Sequence, residues 1–347
     1  MARQPRIEYP GALYHVTARG DRRERIVHDE IDRYSLIKTL GEACGKTGWL
    51  IHAWVLMDNH YHAVIETPQG NLVVGMRWFQ NTYTRRFNTR HRLWGHLFGG
   101  RYRAVLVEGG EFGNGEYLSN LIDYVHLNPV RAGLIELQAK QSLSEYRWSS
   151  LASGYLVAAR KRAKWMKTDE GFGIVGIKDT VSGRREYLGR IEKKGLEDKG
   201  ALDQPENQSL QSTLVRGWYW GTEQFKEVLM SRANRTAVKR NRNYQTSQMG
   251  RDRAQDEAEK LVRIGLKKYK LKEEALERLP GSDERKVAIA ESIHRNTTVS
   301  QAWIAERLRM KSTANVSQQL GLETGAGKSQ REIVIKAETG KVSRIVD

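Results

Sequence analysis

The sequence predicts an α+β fold: a small antiparallel sheet with helices on a face, followed by a mostly α-helical C-terminal region. Three observations predict it. Up to about Leu156, short stretches with period-two patterning alternate with longer ones of helical period. Two strand stretches adjoin across the turn dipeptide Asp58–Asn59, as in a hairpin. Beyond Leu156 strand patterns fade and charged helical segments take over.

The elements follow in order. "ALYHVTARG" reads as a strand from Leu13 to Ala18, ended by Gly20. Residues 29–48 place Ile31, Tyr34, Ile37 and Leu40 at helical spacing, with a stop at Gly45 or Gly48. "WLIHAWVLM" and "HYHAVIET" are the hairpin strands. Residues 71–90 form a helix with Leu72, Met76, Phe79, Tyr83 and Phe87 on one face, which assigns Tyr83 and Phe87 to the core. "RYRAVLVE" is a further strand, and residues 115–129 form a helix ending at Pro129.

Three regions result: 1–155, 156–245 as a largely helical connection, and 246–347. The run 232–242 reads as an exposed basic linker. In the last region, residues 282–296, 298–310 and 313–320 are three short helices, with Thr298 and Gln301 matching a capping box. With Ile304, Ala305, Leu308, Val316 and Leu320 facing inward, the segment of about 282–322 reads as a helix-turn-helix, or as a three-helix packing unit without a DNA role.

The composition favours a polyanionic partner. Lys and Arg number 58 against 41 Asp and Glu, a formal charge of +17. Cys44 is the single cysteine, which excludes a disulfide within the chain and fits a reducing cytoplasm. No run is long enough to span a bilayer, and the N-terminus lacks an apolar signal core.

Strand alternation puts His60, His62 and Val64 on one face and Tyr61, Ala63 and Ile65 on the other. Two imidazoles on one surface make a two-point metal platform, although a bare His-x-His also occurs as ordinary hydrogen-bonded histidines. In the helix of residues 115–129, Leu118, Leu121, Ile122 and Val125 form the apolar stripe. Tyr124 and Asn128, four apart, lie together on its flank. Asn128 before Pro129 also suits an N-cap, and Tyr124 alone suits amphipathic packing. If that flank lies over His60 and His62, the site holds two nitrogens, an amide oxygen and a phenol. Such mixed ligation suits Mg²⁺ or Mn²⁺, with Zn²⁺ open. A cation there polarises a phosphoryl oxygen, and the phenol attacks to form a phosphotyrosine, which keeps the bond energy for a later rejoining by a DNA 3′-hydroxyl.

Arg85, Arg86, Arg90 and Arg92 crowd the end of one helix, and Arg101 and Arg103 flank Tyr102. These arginines are candidate phosphate contacts, or a solvated face. Trp94, His96 and Phe98 lie between the clusters as candidates for stacking on unpaired bases, with Phe98 alternatively in the core.

"HYH" together with "DYVHLNPVRAGL" resembles the HUH single-tyrosine nucleases, most closely the REP-associated tyrosine transposases. "YHVTARGDRRERI", "AWVLMDNHYHAVIE", "GHLFGGRYRAVLVE" and "YRWSS" resemble that family's strings in the same order, over about Tyr9–Tyr155. The later "RGWYWGTEQFKEVL" and "WIAERLRMKSTANVSQQL" look like the C-terminal extension of a longer subgroup. The resemblance implies a ferredoxin-like or RRM-like sheet. It implies His60, His62 and Asn128 as ligands of Mg²⁺ or Mn²⁺, and Tyr124 as the nucleophile that takes a DNA 5′-phosphate and frees a 3′-hydroxyl. It further implies single-stranded, hairpin-forming repeat DNA as substrate. Duplex DNA at the helix-turn-helix, a cytoplasmic place at the nucleoid and an open oligomeric state complete the expectation. Two other readings compete: a non-catalytic sequence-specific DNA-binding regulator using the helix-turn-helix, and a metal hydrolase acting through water with Tyr124 as packing.

Overall fold

The computed structural model describes residues 7–109, 112–113, 115–201, 217–240 and 246–321. The expected strands and helices are present in the expected order. They run β1 (Ala12–Arg19), α1 (Glu30–Thr47), β2 (Leu50–Leu56), β3 (His60–Thr67), α2 (Leu72–His91) and β4 (Arg103–Val107). This βαββαβ order closes into a sheet of order β2-β3-β1-β4, with each of these neighbours antiparallel: the ferredoxin-like arrangement. A two-residue strand, β5 (Tyr219–Trp220), then pairs parallel to β4 through Leu106↔Tyr219 and Val107↔Trp220.

Local chemistry sets the ends. Asp29 caps α1 by accepting from the Asp32 amide, and the helix stops at Gly48, which takes φ +69° and donates to the Cys44 carbonyl. Asp58 and Asn59 turn the hairpin, closed by Met57 N to His60 O at 2.8 Å. The guanidinium of Arg33 pairs with Asp58 and fixes the turn to α1.

Helices cover both faces of the sheet, not the single face expected. On one face, Leu36, Ile37 and Leu40 of α1 and Met76, Phe79, Tyr83 and Phe87 of α2 pack on Tyr14, Val16, Tyr61, Ala63 and Ile65. On the other, α3 (Glu116–His126) lays Leu118, Leu121, Ile122 and Val125 on Leu13, Val55, Val64 and Val105. This second layer is where His62 faces. Alternation along β3 carries that division, because Tyr61, Ala63 and Ile65 are committed to the first core.

The short α4 (Asn128–Arg131) and α5 (Asp169–Ile174) follow α3, and α6 (Val181–Ala201) adds Tyr187 and Ile191 to the second core. α7 (Glu223–Arg240) adds Phe225 and Leu229 to the first. The run 232–242 expected as a linker is therefore helical as far as Arg240; residues 241–245 lie outside the described ones. At its start the Arg232 guanidinium lies 4.0 Å from the centre of the Tyr9 ring.

α8 (Thr246–Lys268), α9 (Ala275–Arg278), α10 (Glu284–Asn296), α11 (Gln301–Arg307) and α12 (Thr313–Gln319) share a third core. Ile304, Ala305, Leu308 and Val316 are buried in it and Leu320 is partly so, as their spacing predicts. The N-cap of α11 is Ser300, whose side chain accepts from the Trp303 amide, rather than Thr298. Lys286 is fully buried and donates to the carbonyls of Leu276, Leu279 and Arg309 at 3.1, 3.2 and 2.8 Å, which ties three turns of the unit together. Lys46 of α1 donates to the Thr297 carbonyl at 3.2 Å and joins this unit to the first.

Candidate active site

β3 presents His60 and His62 to the side where α3 lies. In register, Thr17 of β1 sits opposite His62 and Arg19 opposite His60. The two imidazole centres are 5.1 Å apart. His62 is buried and His60 half-buried. Tyr124 stands on the flank of α3, half-buried, with its ring centre 5.7 Å from that of His62 and nearly perpendicular to it. One chain thus assembles both imidazoles and the phenol.

Asn128 opens α4 one turn beyond Tyr124. Its side-chain nitrogen donates back to the carbonyls of Tyr124 and Val125, at 2.9 and 3.4 Å. It finishes the end of α3 instead of capping the start of α4, whose N-cap is Leu127. With the nitrogen so engaged, Oδ1 is the atom left for a ligand.

Burial, and then the neighbouring Arg19, brings the His60 imidazole down to about 4. Burial also holds His62 well below the ordinary imidazole value, with His15, His60, Arg19 and Arg131 adding to it. Both rings are therefore neutral at pH 7 and keep a nitrogen lone pair. Which nitrogen is fixed for His60: Asn59 gives its Nδ2 to the Arg23 carbonyl, so its Oδ1 accepts from His60 Nδ1 at 2.7 Å. The His60 lone pair is then on Nε2. Two neutral imidazoles 5.1 Å apart offer nitrogen donors of the kind a divalent cation takes. Burial raises the Tyr124 phenol, while Arg131 and Arg19 pull it back down.

Two other groups among the described residues have ligand-type atoms close together: His28, Asp32 and His91, and His52, Glu66 and Glu170. Each already holds a cation of the chain. Arg90 Nη1 lies 2.5 Å from Asp32 Oδ1, and Lys167 Nζ lies 3.0 Å from Glu66 and 2.5 Å from Glu170. They read as ion-pair networks.

The arginines singled out from the sequence divide into two kinds. Arg85, Arg92 and Arg101 are exposed. Arg86 is bonded to Thr39 and Glu42, and Arg90 to Asp29 and Asp32. Arg103 donates to the Gly217 carbonyl at 2.7 Å. Trp94 is 90 % exposed, beside the half-exposed Leu93. Its loop is laid along the end of β1 by Asp21 N to Leu97 O and Gly99 N to Arg19 O, both 2.9 Å, the end that carries Arg19 opposite His60. His96 is exposed on the same loop, whereas Phe98 is buried in the first core with Tyr83 and Phe87.

Three site residues escaped the sequence reading. His15 of β1 bonds His62, and Arg19 lies beside His60. Arg131 sets its guanidinium over Tyr124. A signal existed for Arg131, seven residues after Tyr124 and so two turns along one flank. None existed for His15, whose partner lies on a strand far along the chain.

A ferredoxin-like sheet that offers a pair of strand imidazoles to a helix-borne tyrosine defines an α+β domain built around a His–His–Tyr centre. Residues 9–127 match the family model described as "Transposase IS200 like". No curated protein matches the chain. Among solved structures, a REP-associated tyrosine transposase bound to a REP hairpin resembles it at 17 % identity and a TM-score of 0.35, over 43 % of this chain and 82 % of that one.

Proposed function

We propose that the protein is a transposase-type endonuclease and strand-transferase for single-stranded, hairpin-forming repeat DNA. It works through a phosphotyrosine on Tyr124, with Mg²⁺ or Mn²⁺ at His60, His62 and Asn128. The observation that carries the reading is the Tyr124 ring 5.7 Å from His62 within one chain. The family match over residues 9–127 supports it.

Tyr124 gives its phenolic proton to solvent water, helped by the positive charge of Arg131 and Arg19. The phenolate oxygen attacks a DNA phosphorus; the bond to the 3′-oxygen breaks, and that oxygen leaves as a 3′-hydroxyl after taking a proton. The 5′-phosphate stays on Tyr124 until another 3′-hydroxyl displaces the phenolate and restores the strand. A bound divalent cation would polarise the phosphoryl oxygens and stabilise the charge that develops. Exposed Arg85, Arg92 and Arg101 would hold phosphates, and Trp94 would stack on an unpaired base. The unit of residues 282–322 supplies a second, duplex-binding surface, and the work is done at the nucleoid in the cytoplasm.

The test is incubation of the full chain with 5′- and 3′-labelled hairpin-bearing single strands and Mn²⁺. A denaturant-stable adduct on the 5′-phosphate side is expected, absent in Tyr124→Phe and after chelation. Metal-dependent cutting that survives Tyr124→Phe would establish the water hydrolase instead. Specific duplex binding without any adduct would establish the regulator.

A further inference from the structure

His15 lies on β1 opposite Val64, which makes it a diagonal neighbour of His62 on the face toward α3. It is 1 % exposed. Its Nε2 is 2.9 Å from His62 Nδ1. The two ring planes differ by 12° and their centres are 5.2 Å apart. That separation is what two ring radii plus the N–N distance add up to, so the rings meet end to end in one plane, with the bond along their shared axis. Tyr124 stands edge-on to His15 as it does to His62, at 5.9 Å.

A single proton lies in that bond, and its owner decides what His62 can do. If His15 donates, His62 Nδ1 accepts, and the ring's own hydrogen sits on Nε2, which then has no lone pair to offer. If His62 donates from Nδ1, its Nε2 is a free donor. His60 is already held in the second form by Asn59. Among the described residues the buried His15 Nδ1 has no hydrogen-bond partner, and when His62 donates it carries the His15 hydrogen unpaired. An aromatic or aliphatic side chain in its place would leave the buried His62 Nδ1 without its partner, so the imidazole answers to His62 rather than to packing.

We propose that His15 is a positioning residue: it accepts the Nδ1 proton of His62 and thereby commits His62 Nε2 to a divalent cation. This rests on the metal-site reading above and adds the outer group that orients one ligand. His15 touches no substrate. Together with Asn59 it gives the imidazole pair one tautomer each, so that both rings present the same kind of nitrogen.

Two measurements on the full chain test this. The first is the two-bond ¹H–¹⁵N spectrum of metal-free protein labelled in histidine, with the His62 signals identified by their loss in His62→Gln. Protonated Nδ1 and bare Nε2 on His62 are expected; a hydrogen on His62 Nε2 would overturn the proposal. The second is Mn²⁺ binding followed by the signal of the free ion. His15→Phe should weaken it about 10- to 100-fold, and His15→Gln, whose amide oxygen accepts the same bond, should recover most of the loss. Equal binding by His15→Phe and the unsubstituted chain would overturn the proposal. Should the unsubstituted chain itself bind no Mn²⁺, the metal-site reading fails, and the metal-free tautomer still decides the role of His15 toward His62.

Discussion

Arg131 lays its guanidinium over the ring of Tyr124, 4.8 Å from the ring centre, and donates from Nη1 to the Tyr124 carbonyl at 3.2 Å. Burial favours the neutral phenol, and Arg131 is the first of the charges that oppose it. The same residue therefore holds the ring and favours its ionised form.

Replacement of Arg131 by Leu should raise the Tyr124 phenol further. Less phenolate is present at neutral pH, so single-turnover adduct formation slows by about tenfold for each unit of rise. The loss should shrink as the reaction is moved to alkaline pH. Arg131→Lys should keep part of the rate. A pH–rate profile that shifts only in amplitude would assign Arg131 to packing alone.

Asn59 fixes the tautomer of His60 through an acceptor oxygen. Asn59→Ala should reduce Mn²⁺ affinity by about 10- to 100-fold, as for other groups that orient a ligand. Asn59→Asp, which retains the oxygen, should lose less. Titration of Mn²⁺ against adduct yield distinguishes the two.

Gly75 in α2 packs directly on Trp49, the residue before β2. A Cβ there would lie 2.1 Å from the Trp49 ring, whose indole is pinned by Nε1 donating to Asn71 at 2.8 Å. Gly75→Ala should cost about 1–3 kcal/mol through overpacking. Urea unfolding measures it.

His126 is fully buried and its imidazole is pushed down to about 3, by burial first, while Asp123 acts upward and Arg190 downward. Ser150 Oγ lies 2.9 Å from its Nε2, and the rings of Tyr155 and Tyr187 enclose it. As pH falls below the ordinary value of 6.5, the unfolded chain takes up a proton that the folded chain refuses. Stability then drops by up to about 1.4 kcal/mol per pH unit for this group until its folded value is reached. Above pH 6.5 the group is neutral in both states and contributes no slope. His126→Asn should flatten the dependence of unfolding free energy between about pH 6 and pH 5 by close to one proton. An unchanged slope would locate the acid sensitivity elsewhere.

What the sequence made legible was whatever a short period controls. Alternation in "HYHAVIET" set His62 and Tyr61 on opposite faces, and the structure buries Tyr61, Ala63 and Ile65 in one core and Val64 in the other. Helical spacing found the large apolar residues that α2 and α3 bury, but not the buried Thr82, Asp123 and His126 beside them. Partners far apart in the chain were not legible. The 29–32 segment that binds Arg90 and the Glu42 that binds Arg86 lie on or beside α1, and their arginines on α2. No spacing rule links them, so these arginines looked free. The strand Tyr219–Trp220 finds its partner at Leu106–Val107, too distant for any local pattern. His15 reaches His62 across two strands whose pairing the hairpin signal did not specify.

The phenol and the imidazole pair come from one polypeptide, which has a consequence for stoichiometry. On the proposed mechanism each copy is self-sufficient for scission, so yield should scale in simple proportion to the amount of protein, with no threshold on dilution. An excess of Tyr124→Phe copies should leave the output per intact copy unchanged once DNA is saturating. A poisoning curve steeper than that would mean that a second copy lends its tyrosine.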